Sequence, residues 1–385
     1  MKKCFVAPWL LSMVLLVSSA SLASTTYVVT NNDNPSGNSS SIYRLDTGDG
    51  ALALVKMLNT GGVGNGGGFF ASVNNTVTRD ATCIYVYDGG SSDIAAFAVP
   101  SFNKVGNYSN PALNGAFPGG SMTLTPDGRF LYATYGGSAN VGAWRRNADC
   151  SLTFIHAYVA ESGTDTYSNI LVDPSGRGVV LSVDDLGFLE FGKINQTTGA
   201  LSELDFTNLN NTPCANAGGC FPTGLDINEK GVLVVGNAIL GAGMFSAQLT
   251  GRSPYITNIT YTDLTSSGLC NGEVPWFGAD AYHTGSGAMY LGFSGFGAGC
   301  QSGVLTTSIS GTTITSKKAN QVTSASGYTG TIQSTGQWMV VSEWFNQLQV
   351  FKINNDGSIT ATAQGPVTDN DANGALGFFI YPPTR

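Results

Sequence analysis

Histidine is nearly absent from this chain: His156 and His283 are the two in 385 residues. Charge is scarce too, at 11% of residues, and the 17 Lys and Arg are outnumbered by 25 Asp and Glu. A chain of net charge −8 lacks the basic face that nucleic acid requires, so no nucleic-acid partner is expected. No H-E-x-x-H and no G-x-S-x-G occurs, which removes zincin and serine-hydrolase elbow chemistry. Helix start and stop signals are almost missing. The one long apolar run, "FVAPWLLSMVLLV", stands beside the N-terminus, and it is short for a membrane span of ~20 residues.

That run follows "MKK" and precedes the small residues "SSASLAS", the layout of a signal peptide. Cleavage after Ala23 puts Ser21 and Ala23 at the small-residue positions; Ala20 is a second option. The expectation is a signal peptide over residues 1–23 and an exported domain over 24–385, secreted or periplasmic, with no span remaining. Cys4 leaves with the signal, and six cysteines stay: Cys83, Cys150, Cys214, Cys220, Cys270 and Cys300. An even count in an exported chain favours disulfides, and no C-x-x-C spacing points to zinc.

What is abundant is glycine, at 51 residues, between short β-rich runs. The runs repeat. "MTLTPDGRFLYATYGGSANVGAWRRNADCSLTFIHAYV" from Met122 and "ILVDPSGRGVVLSVDDLGFLEFGKINQTTGALSELDF" from Ile170 share one plan. A strand ends in a Pro-x-Gly turn, a second strand follows, then a polar loop, a third strand, a turn and a fourth. The plan recurs from Phe69, Gly224, Ala279 and Gly330, at a spacing of roughly 45 to 55 residues, that of propeller blades. A seventh unit, "YVVTNNDNPSGNSSSIYRLDTGDGALALVKML", lacks its first strand, while "ALGFFIYP" at the other end is a strand without a partner. The fold expected is all-β: a seven-bladed β-propeller of four-stranded blades, closed by the C-terminal strand pairing with the N-terminal strands.

The turn "TPDGRFLYAT", the pattern "IYVYDGGSSDIAAFAV" and the shared terminal blade resemble the seven-bladed lactonase-like propellers of the 6-phosphogluconolactonase and carboxymuconate cyclase type. The resemblance covers the whole mature chain and rests on blade motifs, which specify fold more than chemistry. It implies lactone hydrolysis, with a His beside basic and acidic partners.

Propeller geometry sorts residues onto two faces. Loops between strands two and three share the top with the links between blades; the other turns lie on the bottom. Asp33, Asp88, Asp184, Asp185 and Glu343 fall on top, with Asp165, Glu273, Asp369 and Asp371 in the links. Phe69, Tyr167, Trp276, Phe277, Tyr328 and Phe378 are expected near the axis, with Tyr135 and Trp344 close by. Arg79, Arg129, Arg145, Arg146, Arg177, Lys230 and Arg252 fall on the bottom. His156 is placed in an outer strand and His283 in a bottom turn, so neither supplies the family's catalytic His. A phosphorylated lactone needs Arg or Lys to hold it, and this sorting puts none on top.

Two functions follow from this arrangement. The first is an exported lactonase-like hydrolase acting on a neutral lactone or sugar derivative. Asp184, Asp185 or Glu343 serves as general base there, and Trp276, Tyr328, Trp344, Tyr135 and Asp88 bind the ligand. The second is a non-catalytic propeller of the cell surface or envelope that binds a carbohydrate or a protein partner. A monomer is expected in either case. The run Asp369, Asp371, Asn373, Gly374 matches the front of a calcium loop, but Ile380 stands where the bidentate Glu belongs; an Asn/Asp/Gly turn is the plainer reading and Ca²⁺ the alternative. "GVGNGGG" has dinucleotide-type glycine spacing but links two blades and opens no helix. Three bridges are predicted from the face assignments: 214–220, 270–300 and 83–150, with two buried free thiols as the alternative to the last.

Overall fold

The computed structural model describes residues 25–66, 77–80, 82–113, 120–135, 140–159, 167–183, 186–217, 219–237, 243–264, 276–283, 287–294, 303–321, 329–343, 346–373 and 377–381. They form seven antiparallel sheets arranged as a propeller, and among them no helix is long and apolar enough to cross a membrane.

Blade 1 is the one shared by the chain ends. Its order from the axis outward is Gly377–Tyr381, Thr26–Asn31, Ser39–Leu45 and Leu52–Asn59. Tyr27 pairs with Tyr381 and Asn31 with Gly377, so the terminal strand supplies the missing inner strand. Blades 2 to 7 begin with inner strands Val77–Arg79, Met122–Leu124, Tyr167–Val172, Pro222–Ile227, Trp276–His283 and Thr329–Thr335. Each inner strand touches the next around the ring, and Gly377–Tyr381 touches those of blades 7 and 2. Closure leaves only the short edges of the inner strands, gathered around the axis.

The turn chemistry explains the repeat. In "TPDG" the Gly128 N–H donates to the Thr125 carbonyl at 2.8 Å, and Gly128 takes φ +67°. In "DPSG" the Gly176 N–H donates to the Asp173 carbonyl at 2.8 Å, with φ +70°. Both glycines occupy a left-handed position that an L side chain resists.

Second strands are buried throughout, as in Cys83–Asp88, Gly178–Val183, Val232–Asn237 and Trp338–Glu343, because each lies between two neighbouring sheets. Outer strands such as Leu152–Val159 are half exposed. One apolar cluster fills each junction between neighbouring blades; Val28, Tyr43, Trp338 and Phe378 belong to the 7/1 cluster that seals the ring. Burying a side chain of Phe or Ile size contributes about 1.5–3 kcal/mol, so each junction holds its blades firmly.

Phe378 corrects the expectation of an axial ring. It is 2% exposed and turned sideways into the 7/1 cluster, because the face of the inner strand that looks along the ring is its apolar one. Phe69 and Tyr328 lie outside the described residues, and for Tyr167, Trp276 and Phe277 the described part is the inner-strand backbone.

Candidate functional site at the top face

Second strands end at the top, and their last residues carry the acids. Asp88 closes Cys83–Asp88 and Glu343 closes Trp338–Glu343. Asp33 follows Thr26–Asn31 at φ 53°. All three are at most 1% exposed. Asp184 and Asp185 lie outside the described residues, next in sequence after Gly178–Val183; the strand-closing position of blade 4 is Val183.

Asp88 sits in the most completely described part of this face. The Asn38 amide donates to one carboxylate oxygen at 2.7 Å, and Asn107 donates to the other at 3.3 Å. Asp93 is its register partner across the loop, and Asn107 also donates to Asp93 at 3.1 Å. Burial pushes the Asp88 carboxyl up to about 8, and a hydrogen bond and the charge of Asp93 push the same way. The neutral, protonated form of Asp88 is therefore favoured. The link from blade 1 closes over them. The Asn38 N–H donates to the Gly62 carbonyl at 3.0 Å, and a β-carbon on Gly62 would overlap the Asp88 carboxylate. Asp88 is therefore sealed beneath the link instead of lining an open mouth.

Asp33 is held in the same way. Its side chain accepts the Asn65 N–H at 2.5 Å, and its carbonyl accepts the Gly66 N–H at 3.1 Å. Asn31 reaches across to donate to the Tyr87 carbonyl at 2.7 Å. Asp93 belongs to this cluster too, and Asn31, Asn38 and Gly62 carry the rest of it without charge, so a sorting by charge does not find them. The signal was present in "NNDNPSGN", a density of side-chain amides that a plain loop does not need.

Glu343 pairs in register with Thr329 of the inner strand and Gln347 of the third strand. It is the described acid that one strand separates from the axis at the top of blade 7. Trp344 and Tyr328 lie outside the described residues, and Trp276 opens the inner strand of blade 6. Tyr135 is fully buried between Tyr87, at 5.8 Å between ring centroids, and Trp144, at 6.5 Å. Its position packs the 2/3 junction and offers no open stacking surface, a correction to its expected place beside the mouth.

The calcium-like run folds as a turn that braces blade 1. Asp369 accepts the Tyr43 hydroxyl at 2.9 Å and the Asp371 N–H at 3.1 Å. Ser39 donates to Asp371, and the Asn373 N–H donates to the Asn32 carbonyl at 2.9 Å. Among the described residues no group of three His, Cys, Asp or Glu is placed to hold a metal ion.

The cations follow the sorting in part. Arg129, Arg177 and Arg252 stand at bottom turns, and Arg146 pairs with Asp80 at 2.7 Å at the bottom of the 2/3 junction. Lys104 is an addition: from the outer strand of blade 2 its ammonium approaches Gly61 on the outer rim of the link. His156 lies exposed on an outer strand, edge-on to Tyr158 at 4.9 Å, and His283 ends the inner strand of blade 6. The Cys83–Cys150 bridge joins blades 2 and 3 at the bottom, and Cys214–Cys220 closes the link between blades 4 and 5, both as expected. The third predicted bridge, Cys270–Cys300, falls outside the described residues.

These features define a seven-bladed β-propeller with carboxylates at the top ends of its second strands. Similar solved structures agree on the fold. A candidate 6-phosphogluconolactonase from Bacteroides fragilis aligns over 93% of this chain and 99% of its own, with a TM-score of 0.70 at 13% identity. A periplasmic gluconolactonase of Pseudomonas aeruginosa aligns over 92% and 98%, at 0.66 and 13%. A Lactobacillus plantarum protein aligns over 92% and 99%, at 0.72 and 11%. No family model matches the sequence, and no curated protein matches it.

Proposed function

We propose that this chain is an exported hydrolase of neutral lactones, acting at the top mouth of the propeller. The observation that supports it most is Glu343, a fully buried carboxylate one strand from the axis on a fold shared with proteins described as lactonases. In this reading Glu343, Asp184 or Asp185 takes a proton from water as its oxygen adds to the lactone carbonyl. The ring C–O bond then breaks, and the proton passes to the departing alkoxide, giving a hydroxy acid. Trp276, Tyr328 and Trp344 supply apolar ring faces for a sugar-like substrate. The shortage of cations toward the axis favours a neutral lactone over a phosphorylated one. The signal-like N-terminus supports action in the periplasm or outside the cell.

Glu343→Gln, Asp184→Asn and Asp185→Asn test the assignment in purified protein, with and without Ca²⁺. Loss of the base lowers turnover by ~10²–10⁴ in one of the three. Full turnover in all three removes the carboxylate mechanism. The second reading, a non-catalytic binding propeller, is favoured by the sealing of Asp88 beneath Gly62. It predicts no turnover of any lactone by the wild type.

A further inference from the structure

The bottom ends of five of the seven blade junctions follow a rule, and the 4/5 and 5/6 junctions depart from it. An aromatic side chain on the second strand of one blade reaches the turn between strands three and four of the next. Tyr85 donates to the Cys150 carbonyl at 3.1 Å, Tyr132 to Gly199 at 2.9 Å and Tyr290 to Gly357 at 2.9 Å. Each is the third residue of its strand. Two positions earlier, on the same strand face, Trp338 donates to the Thr47 carbonyl at 3.2 Å. Tyr27, in the equivalent place in blade 1, meets the Phe102 ring edge-on at 5.9 Å. These side chains plug the 2/3, 3/4, 6/7, 7/1 and 1/2 junctions.

Blade 4 has Gly178 and Val180 at the two plugging positions. Val180 faces blade 5 and is too short to reach its turn. Phe191 from the third strand lies over Gly178, where any β-carbon would overlap the ring, and stacks on Tyr255 of that turn at 4.3 Å with 13° between planes. Blade 5 also lacks the aromatic plug, but there Ser246 donates across the junction to the Thr312 carbonyl at 2.5 Å, beside a short turn. A cleft of about 400 Å³ lies open at the bottom of the 4/5 junction; another, of about 490 Å³, lies at the bottom inner ends of blades 2 and 3 and is lined mainly by Thr and Asp side chains and the turn Pro126–Gly128. The volume of the 4/5 cleft lies in the range of small-molecule sites.

The 4/5 cleft is apolar within and cationic at one rim. Phe191, Tyr255, Ile194 and Leu249 line it, and the exposed Arg177 and Lys193 stand at the blade 4 side. Asp173, the acid beside them, is spent on its own turn, accepting the Ser175 N–H at 2.7 Å. Glu229 is the acid on the opposite turn. A guanidinium presents a planar fork that matches a carboxylate, and an ammonium nearby adds to the attraction.

We infer that the 4/5 cleft is a binding site for a small aromatic carboxylate, whose ring packs beside Phe191 and Tyr255 and whose carboxylate meets Arg177 and Lys193. The site is on the face opposite the proposed hydrolytic mouth and is independent of it. The probe is 4-hydroxyphenylacetate, titrated calorimetrically into the mature protein, with its neutral amide and with acetate as comparators. Saturable binding of the acid is expected, with affinity lowered roughly tenfold or more for the amide and in Arg177→Gln. Gly251→Trp, at a cleft residue whose β-carbon would meet nothing within 4 Å, adds a ring over the opening and is expected to abolish binding. Lactone turnover should be unchanged in both variants. Absence of saturable binding to the wild type overturns the inference, as does equal binding of acid and amide or binding unaffected by both substitutions.

Discussion

The two ends of the propeller are built from the same strands but solve different problems. At the bottom, short turns repeat from blade to blade, and an aromatic from one blade closes onto the turn of the next, as Tyr132 does onto Gly199. At the top, the links differ from one another and carry acids and amides, as around Asp88, Asn38 and Asn107. Regularity at one end is what packing and hydrogen bonding ask of every junction. Irregularity at the other end is where backbone is free to hold chemistry. An exception at the regular end, such as the 4/5 cleft, is informative for the same reason.

The comparison presupposes a closed ring, and removing residues 375–385 breaks it most severely. The inner strand of blade 1 is lost, with the burial of Phe378 and Ile380, about 1.5–3 kcal/mol each, and the ladder to Thr26–Asn31. Insoluble or protease-sensitive protein is expected. A truncated form that melts like the parent would show that the shared blade is not needed. Next in size is the bottom staple. Cys83 and Cys150 are 67 residues apart in sequence, and removing their bridge with Ser at both positions costs roughly 4 kcal/mol in the chain-entropy estimate, read as a lowered urea midpoint.

At the top, Asp88→Asn probes the raised Asp88 carboxyl. An ordinary Asp titrates near ~3.9, whereas native Asp88 holds its proton up to about 8. Its contribution to stability is therefore complete below the unfolded value and is lost as pH rises through the native one. The Asn variant should melt above the wild type at pH 8, by something on the order of 2 kcal/mol, and gain little at pH 4. Equal pH profiles would show that Asp88 does not hold its proton in the folded protein. The smallest effect belongs to a single plug: Tyr132→Phe keeps the ring and loses the bond to Gly199, costing about 1 kcal/mol by thermal melting.

Blade count, ring closure and the 83–150 and 214–220 bridges were legible in the sequence because they depend on local periods and turn residues. The placement of Asp88 at a second-strand end was legible too. Its sealing was not, because that depends on Gly62 and Asn38 arriving from another blade. Tyr135 and Phe378 misled for a related reason. An aromatic close to the axis in sequence register turns either toward the channel or toward the next blade, and the apolar junction draws it sideways. The cleft at the 4/5 junction became visible once Val180 could be set beside Tyr85, Tyr132 and Tyr290 in register.

The most direct test of the account is the hydrolysis rate of a neutral aldonolactone against its 6-phosphorylated counterpart, followed in the purified mature protein by acid release at constant pH. The account predicts turnover of the neutral lactone with kcat/KM clearly above that of the phosphorylated one, and loss of that turnover in whichever of Glu343→Gln, Asp184→Asn or Asp185→Asn removes the base. Preference for the phosphorylated lactone, or no turnover of either, would contradict it.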